Sequence, residues 1–313
     1  MIPFTLQINL SAGDADYAQL TVPRLLAAHP HATERLLVVD LCKPQRTRIV
    51  DPARRYPEPR FTERATRVAD FAAACLRDRK VDRVVCLRPG DALFARISSA
   101  WLRPSVTATH DYGGCALMAY FAAFELCRTP YLLHYDADMI LHQEAGFDWA
   151  DQARDEIESS ASLVAATPRP TAPVPGRPDI PSLREGLPYF SHRAGWRNAW
   201  FSTRCYLFNV PRLRTCLPLI QGRYHLEMLV TRLLRRGYPR SPEIMLHRRL
   251  SSAGYECLML SDPRAWMLHP CRKGPEFVAA LPALLDAVAA DRCPDGQRGV
   301  QDLELPLWEN HLR

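Results

Sequence analysis

The chain has 313 residues, 47% hydrophobic and 24% charged, the balance of an ordinary folded protein with ample core. Its net charge of +6 comes almost wholly from arginine, since Lys43, Lys80 and Lys273 are the only lysines; this reads as composition bias and argues against nucleic acid as a partner. The ten cysteines form no Cys-x-x-Cys pair, which argues against a disulfide framework or a zinc site.

In chain order, residues 4–10 alternate at period two and predict a first strand, followed by a turn and a helix over 17–28. Residues 36–40 are a continuous apolar run ending in Asp40, the pattern of a parallel strand covered on both faces. The stretch from Arg46 to Arg60 interleaves arginines with prolines and predicts a solvated loop. A helix over 62–77 and a buried strand over 84–87 come next. His110-Asp111-Tyr112-Gly113-Gly114 reads as a loop whose glycines permit close backbone approach to a ligand. An apolar helix over 115–127, a short turn and a buried strand over 131–135 complete the alternation. Strand and helix alternating in this way predict a mostly parallel α/β sheet flanked by helices, within a single large domain. Ligands of such sheets bind beyond the carboxyl ends of the strands, where Asp40 and Asp136 share one rim.

Past Asp138 the pattern loosens. A helix over 148–159 and a strand over 163–166 precede residues 167–181, whose six prolines cannot form a sheet and fit a flap beside the site, or else a linker. Trp196, Trp200 and Phe201 crowd the next segment before a strand over 205–209. Helices over 211–220 and 226–236, a strand over 266–269 and a helix over 276–290 close the chain. The longest apolar stretch, 114–127, is too short to span a bilayer and holds Glu125, and residues 1–10 lack a basic start. The expectation is a chain without a transmembrane segment or secretory signal, its thiols buried in a reducing, cytoplasmic compartment.

Asp136-Ala137-Asp138 ends the apolar run of residues 131–135. Two carboxylates on a rigid strand end suit a hard divalent cation held through oxygen and shared with phosphates, although Asp-x-Asp also occurs by chance in surface loops. Loop, apolar helix, turn, buried strand and Asp-x-Asp, in that order, resemble the centre of the GT-A fold of family 2-like nucleotide-sugar glycosyltransferases. The resemblance runs over roughly residues 4–277 as an ordered set of short motifs.

That resemblance implies Mn²⁺ or Mg²⁺ on Asp136 and Asp138, with His269 as a third ligand and Lys273 near the donor diphosphate. Asp40 matches the acid that contacts base or ribose, although Leu41-Cys42-Lys43-Pro44 follows it where the family has a Ser- or Gly-containing turn. The loop of Asp111 would line the donor pocket. Glu227 would be the catalytic base, reduced from the family's acid pair and about one position out of register. Trp196 and Trp200 would bind the acceptor. Residues 1–138 would form the half that binds the nucleotide-sugar donor, and 139–313 the half that binds a glycan, lipid or small-molecule acceptor. The implied reaction is metal-dependent, inverting transfer of a sugar to an acceptor hydroxyl. The rival readings are a catalytically inactive carbohydrate- or nucleotide-binding protein of this fold, or a sugar nucleotidyltransferase. The turn at 11–16, with one glycine and two acids, disfavours a nucleotidyltransferase, and without Gly-x-Gly-x-x-Gly it disfavours a Rossmann oxidoreductase.

Overall fold

A computed structural model describes residues 2–176, 189–200 and 202–312. Its strands are β1 (Phe4–Ser11), β2 (Glu34–Asp40), β3 (Arg83–Leu87), β4 (Tyr131–Asp136), β5 (Ile140–Gln143) and β6 (Leu163–Thr167), followed by β7 (Phe190–His192), β8 (Gly195–Asn198), β9 (Cys205–Asn209), β10 (Glu256–Leu260) and β11 (Ala265–Leu268). All but β5 and β11 join one sheet in the order β3-β2-β1-β4-β9-β6-β10-β8-β7. The sheet is mostly parallel, as the alternation predicts; β9 and β8 run against the rest. Because β4 pairs with β9, the sheet continues across residue 138 and ties the two halves of the chain together.

The continuous apolar run of β2 has the expected cause. Leu36 and Val38 enter one core cluster and Leu37 and Val39 the other, all fully buried. β1 is less simple: Leu6, Ile8 and Leu10 face one core, while Thr5, Gln7 and Asn9 form a buried polar row beneath the sheet rim. Gln7 donates to Asn9 Oδ1 at 2.8 Å and also bonds His134, so the row is knitted rather than stranded.

Several elements differ from the sequence reading for local reasons. The apolar helix begins at Met118, not 115, because the Asp111 carboxylate accepts from Cys115 N–H at 2.9 Å and holds that residue in the loop. Gly114 has φ +81°, and a Cβ there would meet Val50 at 3.2 Å, so its freedom serves loop packing as well as the cavity that Gly114 borders. The reading overlooked helices Ala92–Trp101 and Pro242–Ser252, which are capped by Asp91 and Ser241. The helix expected over 211–220 is only Val210–Arg214. The proline-rich segment is tied down at its start: Arg169 C=O accepts from Met267, and Ala172 C=O from Gly299. That part is built into the fold, while residues 177–181 of the expected flap lie outside the described residues, as does Phe201. All ten cysteines are free; Cys115 and Cys271 are exposed, the others wholly or partly buried. No helix among the described residues is long and apolar enough to cross a membrane.

Candidate active site

The carboxyl ends of β1, β2 and β4 form one rim, with Ser11 paired to Asp40 and Asn9 to Asp136. Beyond it opens a cavity of about 330 Å³, lined among others by Asn9, Asp14, Asp40, Tyr120, Asp136 and Asp138. Asp136 ends β4, and both its oxygens accept from the Tyr120 hydroxyl at 2.8 Å; His134 Nε2 lies 3.2 Å from Oδ1. His134 itself is clamped between Gln7 and a ring stack on Tyr206 at 4.7 Å. Asp136 is therefore oriented from beneath and only partly exposed.

Asp138, two residues on, enters the narrow antiparallel pair of β5 and β11, in which Ile140 faces Leu268. That pairing brings the residues after β11 to the Asp-x-Asp. His269 Nε2 lies 3.7 Å from Asp138 Oδ2, and Lys273 Nζ bonds the same oxygen. Asp138 Oδ1 is buried and has no hydrogen-bond partner, and neither has Asn9 Nδ2 in the same lining. Buried polar atoms are normally satisfied, so a ligand group placed in this cavity would find two open partners. Two carboxylates and an imidazole are a donor set that fits Mn²⁺ or Mg²⁺. Burial pushes the His269 imidazole down from its usual range despite nearby Asp138, which keeps a lone pair available for a cation. On its other side, His269 Nδ1 lies 3.4 Å from Asp302 Oδ1 and 3.7 Å from Cys271 Sγ.

Deeper in the cavity, Asp40 is almost wholly buried, and desolvation pushes it up to about 6 although it accepts from Cys42 N–H at 2.9 Å. Its neighbour His110 lies 3.7 Å away, and burial pushes it down to about 4, so at neutral pH it offers no compensating charge. Asp14 is also pushed up to about 6, first by desolvation and then by Asp138. The expected acid pair of this turn is thus split, since Asp16 is neutralised by Arg64 and Arg67.

An acid whose folded pKa lies above its unfolded value contributes stability in full below the unfolded pKa, and loses it as pH rises through the folded one. For Asp40, from 3.8 to about 6, this leaves the ionised form costing about 3 kcal/mol above that window. Asp40→Asn should therefore raise the melting temperature by a few degrees near pH 8 and lose that gain near about pH 4. A gain of equal size at both pH values would show that desolvation of Asp40 is not its origin.

A second cavity of about 270 Å³ is lined among others by Trp200, Arg204, Glu243, Asn198 and Pro170. Residues 202–204 connect the two cavities: Arg204 C=O accepts from Asp136 N–H, and Thr203 donates through N–H and hydroxyl to Glu243 at 3.2 Å. Glu243 sits in the first turn of helix Pro242–Ser252 behind the Ser241 cap. Its sequence signal was that helix start, Ser-Pro-Glu, rather than any catalytic motif.

Of the residues singled out from sequence, Asp136, Asp138, Asp40 and Lys273 line the first cavity, with His269 beside them, and Trp200 lines the second. Trp196, on β8, lines neither cavity. Asp111 itself stays outside, its carboxylate turned onto its own loop, but that loop borders the first cavity through His110 and Gly114. Glu227 is held on helix Gly222–Leu233 by Arg248 and by Arg240 at 3.6 Å, away from both linings. The stretch from Arg46 to Arg60 is largely exposed, as expected, and also lends Arg55 and Tyr56 to the lining of the first cavity; Arg55 donates to Gly113 C=O at 3.2 Å. Tyr120 and His134 gave no sequence signal, being indistinguishable from core residues in apolar runs.

No family model matches the chain, and no curated protein matches it. Solved structures to which it is similar include GT-A glycosyltransferases. GalNAc-T7 with UDP, GalNAc and Mn²⁺ is 10% identical at a TM-score of 0.41, over 86% of this chain and 44% of that one. The chain thus spans less than half of that protein's length. The galactosyltransferase LgtC with donor and acceptor sugar analogs gives 10% and 0.40, over 92% and 95%. Residues 1–349 of S. aureus TarS in complex with UDP give 11% and 0.40, over 93% and 70%. These are distant likenesses, and the functional reading rests on the geometry of the two cavities themselves.

Proposed function

We propose that the chain is a metal-dependent glycosyltransferase that moves a sugar from a nucleotide diphosphate donor to an acceptor hydroxyl with inversion. The observation that carries this reading is the buried, unpartnered Asp138 Oδ1 on the lining of a cavity of about 330 Å³, with Asp136 on the same lining and His269 Nε2 3.7 Å from Asp138 Oδ2. Asp136, Asp138 and His269 would hold Mn²⁺ or Mg²⁺. Bound there, the cation supplies positive charge to the diphosphate as it leaves.

The remaining roles belong to the chain. Lys273 reaches Asp138 and, on its flexible stem, the phosphates beside it, where Arg55 also borders the cavity. Asp40, ionised above about 6, accepts from a base N–H or ribose hydroxyl, and Tyr56 offers a ring for stacking. The acceptor lies in the second cavity against Trp200. Glu243 takes the proton of its hydroxyl as the new bond to the anomeric carbon forms and the bond to the diphosphate breaks. Tyr120 and His134 keep Asp136 in position. In this reading residues 1–138 bind the donor, and the rest of the chain supplies the acceptor cavity and the later ligands.

A thermal-shift screen of nucleoside diphosphates with and without Mn²⁺ tests the donor assignment. A ligand at about a hundred times its dissociation constant adds roughly 2.7 kcal/mol, a shift of a few degrees. A matching diphosphate should stabilise the chain only with the metal present. No metal-dependent shift with any nucleotide would overturn the assignment. Release of free sugar from the matching nucleotide sugar would then distinguish an enzyme from a non-catalytic binder.

A further inference from the structure

Helix Gly222–Leu233 is amphipathic in an unusual sense, because its apolar stripe faces outward. Met228 and half-buried Tyr224 attach its inner face to the core. Leu226, Leu229, Val230 and Leu233 recur at i, i+3, i+4 and i+7 on the opposite side, and are 44–84% exposed. With Leu234 they are five of the nine strongly exposed large apolar side chains among the described residues. Single exposed leucines need no explanation, but a continuous stripe does.

The charges around the stripe are of one sign. Arg223, Arg232, Arg235 and Arg236 are exposed along its edges and end, while the segment's only acid, Glu227, is held by Arg240 and Arg248. We propose that this face rests on a bilayer surface containing anionic lipid, with the leucines in the headgroup–acyl boundary and the arginines among the headgroups. A helix lying in the interface needs only such a stripe with cationic flanks. Charge decides against the other occupants. A second copy of the chain would set these arginines against themselves. A groove that wraps a basic helix would need the face already committed to Met228 and Tyr224.

The inference is independent of the reaction, but the geometry joins the two. Glu227 bonds Arg248 on helix Pro242–Ser252, which also carries Glu243. The surface helix is thus fastened directly to the element that lines the second cavity.

Co-sedimentation of the full chain with vesicles tests the proposal. The wild type should sediment with phosphatidylcholine–phosphatidylglycerol vesicles, and only weakly with phosphatidylcholine alone. Added salt should reduce the binding. Replacing Leu226, Leu229 and Leu233 together by serine should lower the apparent affinity about tenfold or more without lowering the melting temperature, since these side chains are solvent-exposed. If that variant does not fold, Leu233→Ser alone carries the test, with a smaller loss of binding. Arg235→Gln with Arg236→Gln should remove most of the preference for anionic vesicles. Failure of the wild type to sediment, or undiminished binding by the serine variants, overturns the proposal. So does a wild-type dimer in light scattering that the serine variant converts to monomer, because a second copy would then cover the face.

Discussion

Asp138→Asn should abolish the metal-dependent part of nucleoside diphosphate binding while leaving the fold in place. The substitution keeps the size of the side chain and its contact distance to Lys273, and removes only the charge whose Oδ1 has no partner in the chain. In calorimetric titrations with and without Mn²⁺, the wild type should gain affinity with the metal. The variant should lose at least about a hundredfold of that gain, roughly 2.7 kcal/mol, and behave like the metal-free wild type. Undiminished metal-dependent affinity would remove Asp138 from the site and with it the central observation behind the proposed reaction.

Glu243→Gln should reduce turnover by a factor of about 10² to 10⁴, or 3 to 5 kcal/mol in barrier, with donor binding preserved. The amide keeps the acceptor oxygen that Thr203 uses and loses only the basicity. Glu227→Gln is the matched control. Its carboxylate is about a third exposed and pairs with Arg240 and Arg248, so its loss should cost no more than about 1 kcal/mol of stability and leave turnover near normal. Initial rates with one donor and acceptor pair decide between them. Collapse in Glu227→Gln with normal rates in Glu243→Gln would return the base to the helix indicated by the sequence resemblance.

The two acids differ in a way that explains what the sequence could disclose. Asp136 and Asp138 end a strand whose burial is written in five consecutive apolar or aromatic positions, so their place on the sheet rim followed from local pattern. Asp40 ends a strand of the same kind and was legible for the same reason. Glu243 is from sequence only the alternative base should Glu227 fail, because nothing in Ser-Pro-Glu distinguishes a catalytic acid from a favourable first-turn acid. Only the packing of its helix against residues 202–204 links it, through Thr203 and Arg204, to Asp136. Glu227 carried the stronger local resemblance, yet its helix turns that face towards arginines. The Pro/Arg loop is largely exposed, as its polarity reads, yet Tyr56 within it packs edge to face on Phe61 of the following helix at 6.0 Å, and both line the first cavity, which polarity alone did not disclose.

The pairing of β5 with β11 is only four residues long on each side, yet it closes a loop running from Gln143 to Ala265. Asp136 and Asp138 leave the ribosome long before His269 and Lys273, and Asp138 has neither partner until that late strand docks. On the proposed metal assignment, cation affinity would therefore belong to the finished chain rather than to its Asp-x-Asp, and a nascent or clipped molecule that still displays both aspartates would bind metal more weakly.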